Sequence, residues 1–398
     1  MNVSRETPTL RESLRSLPAP ALVLFAGTFV NDFGTFVLPF YTLYLIQNGY
    51  SAPQAGVAIA AYGLGELVAQ IIGGLLADRV GRRNAIALSM FTAGTLTLAL
   101  WRAQGLALIV PLMFGFACAS ELSRPAAGAL IADLVPSRSR LAAFTVLRLA
   151  TNVGWAVGLA LGGFLAQRSF DLLFVGDAAT SIAFGFISLV ALPHGVRSTR
   201  HDEVDLPTAR RAILADRGFL LFLLGMLLMR LVYAQIFSTM PLHIQDHGHG
   251  PSTYGILLSI SGGIVVLAEL PVIAWVQRHD RLRMVSLGHL LIGLGYASLL
   301  FADTFPELIG MVAVFTLGEI CGFSAAQAIA ADRAPAHAQG RYQSAFGSTR
   351  GIGFLAGPVL GTLVYSASPQ ILWWACGVLG VLAAALALSA RRFPLPAS

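Results

Sequence analysis

The chain has little charge and no lysine. Only 12% of its 398 residues are charged, and its mean hydropathy is +0.72. A soluble protein of this size needs far more charge to cover its surface, so the composition excludes a soluble globular domain. Cysteine is also scarce. The cysteines all lie in apolar runs and are odd in number, which argues against a disulfide framework and fits small buried hydrophobes: Cys118, Cys321 and Cys376.

Apolar runs long enough to cross ~30 Å of hydrocarbon as helices recur along the whole chain. We therefore predict an all-α integral membrane protein with twelve transmembrane helices, called spans one to twelve below. The predicted spans cover roughly residues 19–46, 53–77, 84–102, 106–133, 141–167, 171–193, 219–244, 252–277, 283–302, 306–332, 342–366 and 370–390.

All 26 basic residues are arginines, and their positions indicate membrane topology rather than a nucleic-acid partner. Only Arg102 and Arg168 lie in odd-numbered connections, and four arginines lie within spans. Positive charge marks the cytoplasmic side, so we expect both termini in the cytoplasm of a bacterium, with the chain in its inner membrane. The other 20 lie in the tails and even-numbered connections: Arg5, Arg11, Arg15, Arg79, Arg82, Arg83, Arg138, Arg140, Arg197, Arg200, Arg210, Arg211, Arg217, Arg278, Arg281, Arg283, Arg333, Arg341, Arg391 and Arg392.

The second half of the chain repeats the first. Residues 132–136, ADLVP, return as ADRAP at 331–335, a shift of 199 residues that also maps Arg82 onto Arg281. Duplicated halves in so apolar a chain indicate a transporter built around a pseudo-two-fold axis. We predict two pseudo-symmetric six-helix bundles, 1–193 and 219–398, joined by a cytoplasmic linker, 194–218, with a short interfacial helix near 207–216.

The loop after span two, residues 74–83, reads GLLADRVGRR. It resembles the signature of the major facilitator superfamily between that family's second and third helices. The resemblance implies a cytoplasmic latch in which Asp78 and Arg82 interact with the fourth and eleventh helices. In the second copy Gln277 replaces the aspartate, so we expect a weaker latch there. The predicted latch residues are Gly74, Asp78, Gly81, Arg82, Arg83 and Asp133.

Two further motifs resemble those of the proton-coupled drug exporters of this family. Arg124 and Gly128 in span four are similar to its Arg-x-x-x-Gly motif, which is associated with proton coupling; a structural salt bridge is the alternative for the arginine. Span five is similar to the antiporter motif, although Leu159 replaces its proline, and helix packing explains the glycines equally well. We expect these seams to pack the two halves together: Gly154, Gly158, Gly162, Gly353, Gly357, Pro358 and Gly361.

Charged residues inside spans are functional candidates because exposure to lipid is disfavoured. The acids are Asp32, Glu66, Glu121, Asp177, Glu269 and Glu319. Asp32, Glu66 and Arg124 lie about 12 residues inside their spans, ~18 Å deep and near the midplane. We predict that they couple transport to protons.

A buried carboxylate can gain and lose a proton as its surroundings alternate, so we favour Asp32 as the proton carrier, with Glu66 second. A permanently paired structural charge is the alternative for each acid. Aromatic rings would offer π-faces to cations, with packing as their alternative role. The predicted substrate-binding residues are Asn31, Asp32, Phe36, Tyr41, Arg124, Arg148, Asn152, Trp155, Arg230, Tyr233, Gln235, Glu319 and Arg350.

Histidines cluster after span seven, and His243 and His247 have the one-turn spacing of a metal-binding pair. Neighbouring proline and glycine residues indicate a helix end and loop, so we interpret the cluster as a solvated loop and expect no metal site. Its members are His243, Asp246, His247 and His249.

The sequence has no phosphate-cradling nucleotide loop and no His-Glu-x-x-His or Gly-x-Ser-x-Gly motif, which argues against ATP-driven transport and against an enzyme. The resemblance implies a monomeric secondary active transporter that works by alternating access and needs no cofactor besides the proton gradient. The motifs favour proton-coupled antiport of small amphipathic or cationic compounds. The alternative is a proton-coupled transporter of one metabolite, such as an organic acid, sugar or peptide, with arginines clamping an anion. The expected partners are this small molecule, protons and the lipid bilayer, with no nucleic acid.

Overall fold

The computed structural model describes residues 17–136, 139–194, 206–335 and 339–393. Within these ranges every regular element is a helix, and ten segments are long and apolar enough to cross a membrane. The predicted fold class is confirmed. Span one comprises the helices Ala19–Phe33 and Val37–Gln47, and span seven comprises Arg217–Tyr233, Gln235–Ser238 and Met240–Asp246. Spans two to six are Ala52–Val80, Arg82–Arg102, Leu106–Leu134, Arg140–Arg168 and Asp171–Ala191. Spans eight to twelve are Pro251–Val276, Arg281–Ala297, Phe305–Asp332, Gln339–Ala367 and Pro369–Ser389.

Shorter elements complete the described chain. The described part of the linker contains the helix Leu206–Ala215, close to the predicted interfacial helix. Short 3-10 turns follow spans nine and twelve at Ser298–Leu300 and Ala390–Arg392. The arginines before residue 17, Arg138, and those at 197 and 200 lie outside the described residues.

Span one is interrupted near its middle. Its first helix ends at Phe33 and its second begins at Val37. Asp177 of span six accepts hydrogen bonds from the backbone N–H groups of Phe36 and Val37, at 3.1 and 3.0 Å. A helix start leaves such donors without partners, so this buried carboxylate stabilises the break.

Span seven is also interrupted, next to the buried side chain of Gln235. Its amide nitrogen donates to the carbonyl oxygens of Leu231 and Gly357, both at 2.9 Å. Its amide oxygen accepts hydrogen bonds from the hydroxyls of Ser238 and Thr239. The side chain therefore replaces main-chain hydrogen bonds that the interrupted helix cannot make.

The glycine seams pack helices within each half. A Cβ on Gly158 would lie 2.1 Å from the carbonyl oxygen of Phe33 in span one, and a Cβ on Gly353 would lie 2.4 Å from the Cβ of Arg230 in span seven. Span five therefore packs directly on span one, and span eleven on span seven. The expectation that these glycines pack the halves together is wrong, because each glycine face turns toward its own bundle.

The two halves meet through span two with span eleven and span five with span eight. Other glycines allow these contacts: a Cβ on Gly63 would lie 2.5 Å from the carbonyl carbon of Phe354, and Gly255 is equally close to span five. Pro358 also lies at this interface, since its carbonyl oxygen is 2.6 Å from a Cβ built on Gly56. Small residues on the two facing helices let the bundles approach closely.

The apolar core divides differently at the two ends of the molecule. At the end opposite the linker, a single buried cluster includes residues of both halves. There the rings of Phe40 and Tyr254 lie 5.4 Å apart, and the Thr42 hydroxyl donates to the carbonyl oxygen of Phe237 at 2.7 Å. At the linker end each half has its own separate cluster. The halves thus share one buried apolar cluster opposite the linker and have separate clusters toward it.

Candidate functional site

A cavity of about 420 Å³ lies within the first half. Asn31 and Asp32 of span one line it together with Arg124 of span four and Trp155 of span five. Asp32 is brought there by the interruption of span one, which follows it directly, and by the glycine seam that holds span five against span one. Arg148 lines it as well, so the structure brings five residues predicted to bind substrate to one space.

Asp32 differs from the other two carboxylates that line this cavity, Glu121 and Asp177, because both of those have close partners. Asp177 accepts the two backbone hydrogen bonds described above. Glu121 is satisfied, since its carboxylate lies 3.2 Å from Nε of Arg124 and accepts a hydrogen bond from the Tyr62 hydroxyl at 2.8 Å. Among the described residues, Asp32 forms no ion pair, and its polar side-chain contacts come from Thr151 and Trp155 of the first bundle. The charge of Asp32 is therefore offset only at a distance, chiefly by Arg124.

In the part of the chain that the structure describes, two ion pairs cross from one half to the other beside the cavity. Nε of Arg350 in span eleven lies 2.8 Å from Oε1 of Glu66 in span two, which also accepts a hydrogen bond from Gln70. Arg148 of span five pairs with Glu269 of span eight. Glu66, the second predicted proton carrier, is therefore already paired in this conformation.

The second half contributes a cavity of about 400 Å³ lined by Arg230, Tyr233 and Glu319. The Tyr233 hydroxyl donates to Glu319 at 3.1 Å. The guanidinium of Arg230 lies over the ring of Phe323, 3.7 Å from its centroid, and its Nε has no hydrogen-bond partner among the described residues. This part of the site offers a buried donor with unused hydrogen-bonding capacity.

A third cavity of about 280 Å³ connects these two. It shares Arg124 and Trp155 with the first cavity and Tyr233 and Glu319 with the second, and Asn152 also lines it. The three form one central space between the halves, and its lining includes most residues predicted from the sequence.

Three predicted residues lie elsewhere. Phe36 packs against Phe33, with ring centroids 5.8 Å apart, and Tyr41 stacks on Tyr44 toward the end opposite the linker. Gln235 makes the hydrogen bonds at the break of span seven described above. None of the three cavities described above has Phe36, Tyr41 or Gln235 in its lining.

Some residues of the site were predicted only in general terms or not at all. Glu121 was a functional candidate as an intramembrane acid but had no assigned role, although its spacing of three residues from Arg124 places both on one helix face. Thr151 and Phe323 were missed, yet each lies four residues from a predicted residue, namely Trp155 and Glu319. Helical spacing around the buried charges was the signal that would have found them.

The predicted latch region contains a close ion pair. Nε of Arg82, at the start of span three, lies 2.7 Å from the carboxylate of Asp133 at the end of span four. Gly81 between spans two and three has a φ of +90°, which favours glycine. Arg83 donates to the neighbouring Asn84 at 3.2 Å. The predicted latch residue Gly74 and the side chain of Asp78 lie outside the part of the chain that the structure describes.

The same ion pair occurs in the second half. Arg281 pairs with Asp332, and both residues are related to the first pair by the shift of 199. The side chains of Arg82 and Asp133 are only 11% and 17% exposed, whereas those of Arg281 and Asp332 are 49% and 51% exposed. Solvent screens the second pair more strongly, so it contributes less.

Comparison with known proteins identifies the family. A model of the Major Facilitator Superfamily matches residues 24–268 and 222–398. The chain belongs to this superfamily.

The Bacillus subtilis protein named uncharacterized MFS-type transporter YqjV is 25% identical over 337 residues, 81% of this chain and 80% of that protein. The Escherichia coli multidrug resistance protein MdtH is 26% identical over 353 residues, 84% of each chain. The crystal structure of the nucleoside transporter NupG shares the fold, with a TM-score of 0.79 at 13% identity over 95% of this chain and 100% of that one.

Membership of the Major Facilitator Superfamily establishes the general activity. The chain is a multi-pass membrane transporter of a small molecule, not an enzyme, and needs no cofactor. Its duplicated bundles surround a central cavity, as alternating access requires. The family prediction made from the loop after span two is confirmed.

Proposed function

We propose that this transporter is a proton-coupled antiporter that exports small amphipathic or cationic compounds, with Asp32 as the proton carrier. It would lie in the inner membrane of a bacterium, with both termini in the cytoplasm and residues 194–218 linking bundles 1–193 and 219–398. The observation that carries the proposal is the buried carboxylate of Asp32, which faces the cavity without an ion-pair partner among the described residues.

Charge balance links this carboxylate to exchange. A buried charge is costly unless it is neutralised, and either a proton or a cationic substrate would neutralise Asp32. The two compete for one group, so binding of one favours release of the other. Such competition is the elementary requirement for antiport.

The walls around Asp32 suit an amphipathic cation. Tyr62, Phe116 and Trp155 line the same cavity, and aromatic faces attract cations while their rings bury apolar groups. The buried apolar clusters of the two halves are separate at the linker end, where the proposed topology places the cytoplasm, which supports entry of compounds from inside the cell. The similarity to a protein named for multidrug resistance supports the same substrate class.

The test uses proteoliposomes with an acidic interior and a trapped pH dye. Addition of a lipophilic cation outside should raise the internal pH, because each cation that enters releases protons. Asp32→Asn should abolish this response, because the amide cannot carry a proton between the two sides.

Asp171→Asn is the matched control, since it removes a carboxylate at the start of span six, outside the central cavity. There Asp171 accepts a hydrogen bond from Trp101. It should respond like the wild type. Loss of the response in both variants, or in neither, would contradict the role of Asp32.

The alternative is a transporter of an anionic metabolite, and Arg230 favours it. This buried arginine has an unpartnered Nε and shares its cavity with Arg350, so together they resemble an anion clamp. In the same assay, proton movement would then follow organic anions only and run in the same direction as the substrate. Arg230→Gln would remove that response, whereas it would leave a cation response largely intact.

A further inference from the structure

His243, His247 and Asp303 come together in the second half, opposite the linker and outside the central cavity. One ring nitrogen of each histidine and one carboxylate oxygen all lie within 4.8 Å of one another. Nε2 of His247 is 3.1 Å from the Asp303 carboxylate. Asp303 lies between spans nine and ten, so the fold assembles a cluster that the sequence near span seven does not reveal.

The hydrogen bonding of His247 calls for a cation at this point. Its Nδ1 lies 2.7 Å from the carbonyl oxygen of His243, and since a carbonyl only accepts, Nδ1 carries the hydrogen. The neutral ring then presents the lone pair of Nε2 to the carboxylate of Asp303. Two acceptors at 3.1 Å repel each other unless a proton or a metal ion lies between them.

His243 supplies a second uncommitted nitrogen. The residue is only 2% exposed, and its Nε2 lies 3.4 Å from the carbonyl oxygen of Ala302. Its Nδ1 is buried and has no hydrogen-bond partner among the described residues. In both histidines one ring nitrogen thus faces a carbonyl and the other is available, which is the outer-shell arrangement of histidines that bind metals.

We propose that His243, His247 and Asp303 bind a zinc ion. Zinc takes histidine nitrogen and carboxylate oxygen at about 2.0–2.2 Å, and two such ligands of a tetrahedral ion lie roughly 3.3 Å apart, close to the 3.1 Å between His247 and Asp303. Magnesium and calcium prefer oxygen ligands throughout. Three protein ligands leave the fourth position to water, and the ion ties the end of span seven to the turn before span ten.

The other two members of the histidine cluster have different partners. Nε2 of His249 lies 2.9 Å from the backbone oxygen of Asp303, and Asp246 accepts a hydrogen bond from the Tyr365 hydroxyl at 2.6 Å. The proposed ligands depart from the expectation of a solvated loop without a metal site, because His243 is buried and Asp303, not Asp246, completes the group.

The test is calorimetric titration of zinc chloride into the purified full-length protein in detergent, after removal of any histidine tag and treatment with a chelator. Wild type should bind about one ion per chain. His247→Gln and Asp303→Asn should each weaken binding by at least ~10-fold, since loss of an outer-shell partner alone costs that much. Both side chains are exposed enough for substitution to leave the fold intact, being 34% and 65% accessible.

His279→Gln is the matched control. His279 is exposed, and its Nδ1 lies 2.9 Å from a carbonyl four residues earlier, as in His247, but it belongs to no cluster of metal-ligating residues in the described chain. Its variant should bind zinc like the wild type, and zinc should raise the thermal unfolding midpoint of both. No zinc uptake by the wild type, unchanged binding in the two ligand variants, or equal weakening in His279→Gln would overturn the site.

Discussion

At the scale of single residues, the same residue type does different work depending on its partners. Asp32 and Asp177 are both buried acids that line the first cavity. Asp177 holds the break of span one through two backbone hydrogen bonds, whereas Asp32 makes no ion pair among the described residues. An intramembrane acid is a functional candidate by default, but its hydrogen bonds separate a structural role from a coupling role.

Asp177→Ala should therefore destabilise the protein. It leaves the N–H groups of Phe36 and Val37 buried without an acceptor, at a cost of about 2 kcal/mol or more. The thermal unfolding midpoint in detergent measures this. Asp171→Ala, at the exposed start of the same span, should change the midpoint far less. Equal midpoints for the two variants would show that the carboxylate of Asp177 does not support the break.

Depth in the membrane was predictable from the sequence, but direction around a helix was not. Asp32 and Arg124 lie at similar depth by residue count, and the structure places both on one cavity. Tyr41 and Gln235 were chosen by type and position alone, and both are buried away from that cavity. Only the packing of span one on span five, and of span seven on span eleven, determines which side chains face inward.

At the scale of helices, duplication preserved an ion pair while its surroundings diverged. Arg82–Asp133 and Arg281–Asp332 occupy equivalent positions, between the start of one span and the end of the next. The Arg82–Asp133 pair is largely buried, whereas the Arg281–Asp332 pair is about half exposed. We propose that the first pair is part of the conformational latch implied by the family motif.

Asp133→Asn should lower the thermal unfolding midpoint more than Asp332→Asn. A buried, charge-assisted hydrogen bond contributes about 1.5–3 kcal/mol, whereas an exposed ion pair contributes about 0–1 kcal/mol. The two variants make the same chemical change at symmetry-related sites, so each serves as the control for the other. A larger loss in Asp332→Asn would contradict this ranking.

The helices themselves were largely predictable, but their interruptions were not. Runs of apolar residues located all twelve spans, because crossing hydrocarbon requires length and hydrophobicity. The breaks in spans one and seven depend on Asp177 and Gln235, which compensate unpaired backbone groups. Asp177 of span six bonds to the distant span one, and Gln235 of span seven bonds to the distant span eleven. A local sequence pattern shows neither of these hydrogen bonds.

At the scale of the whole molecule, the halves are joined opposite the linker, and two ion pairs cross between them near the central cavity. Arg148–Glu269 and Glu66–Arg350 each connect one bundle to the other. We expect this transporter to work by alternating access, in which the bundles rock about the central site, so such pairs would rearrange in each cycle. They would set the relative stability of the two conformations.

Exchange of charges across the halves tests this role. Arg148→Glu or Glu269→Arg should slow transport in proteoliposomes by about fivefold, because like charges replace a pair worth up to about 1 kcal/mol. The double variant R148E/E269R should recover most of the rate. The modest size follows from the 61% exposure of the Arg148 side chain. A double variant no better than either single variant would contradict pairing during transport.

Duplication predicted the architecture of two bundles, but not the surfaces through which they meet. The glycine seams of spans five and eleven were assigned to the interface between the halves, yet they lie within each bundle. Spacing of small residues shows that a helix packs closely, but not on which neighbour. The domain boundaries at 193 and 219 remain a prediction.

The central claim is that a proton and a cationic substrate compete for Asp32, and equilibrium binding tests it most directly. The dissociation constant of a lipophilic cation should be measured in detergent over a series of pH values. If one proton is exchanged, wild-type affinity should fall by up to about tenfold for each unit of decreasing pH over the range where Asp32 titrates. Asp32→Asn should bind more weakly and with no such dependence, whereas Asp171→Asn should follow the wild type. The same pH dependence in Asp32→Asn as in the wild type would contradict the claim.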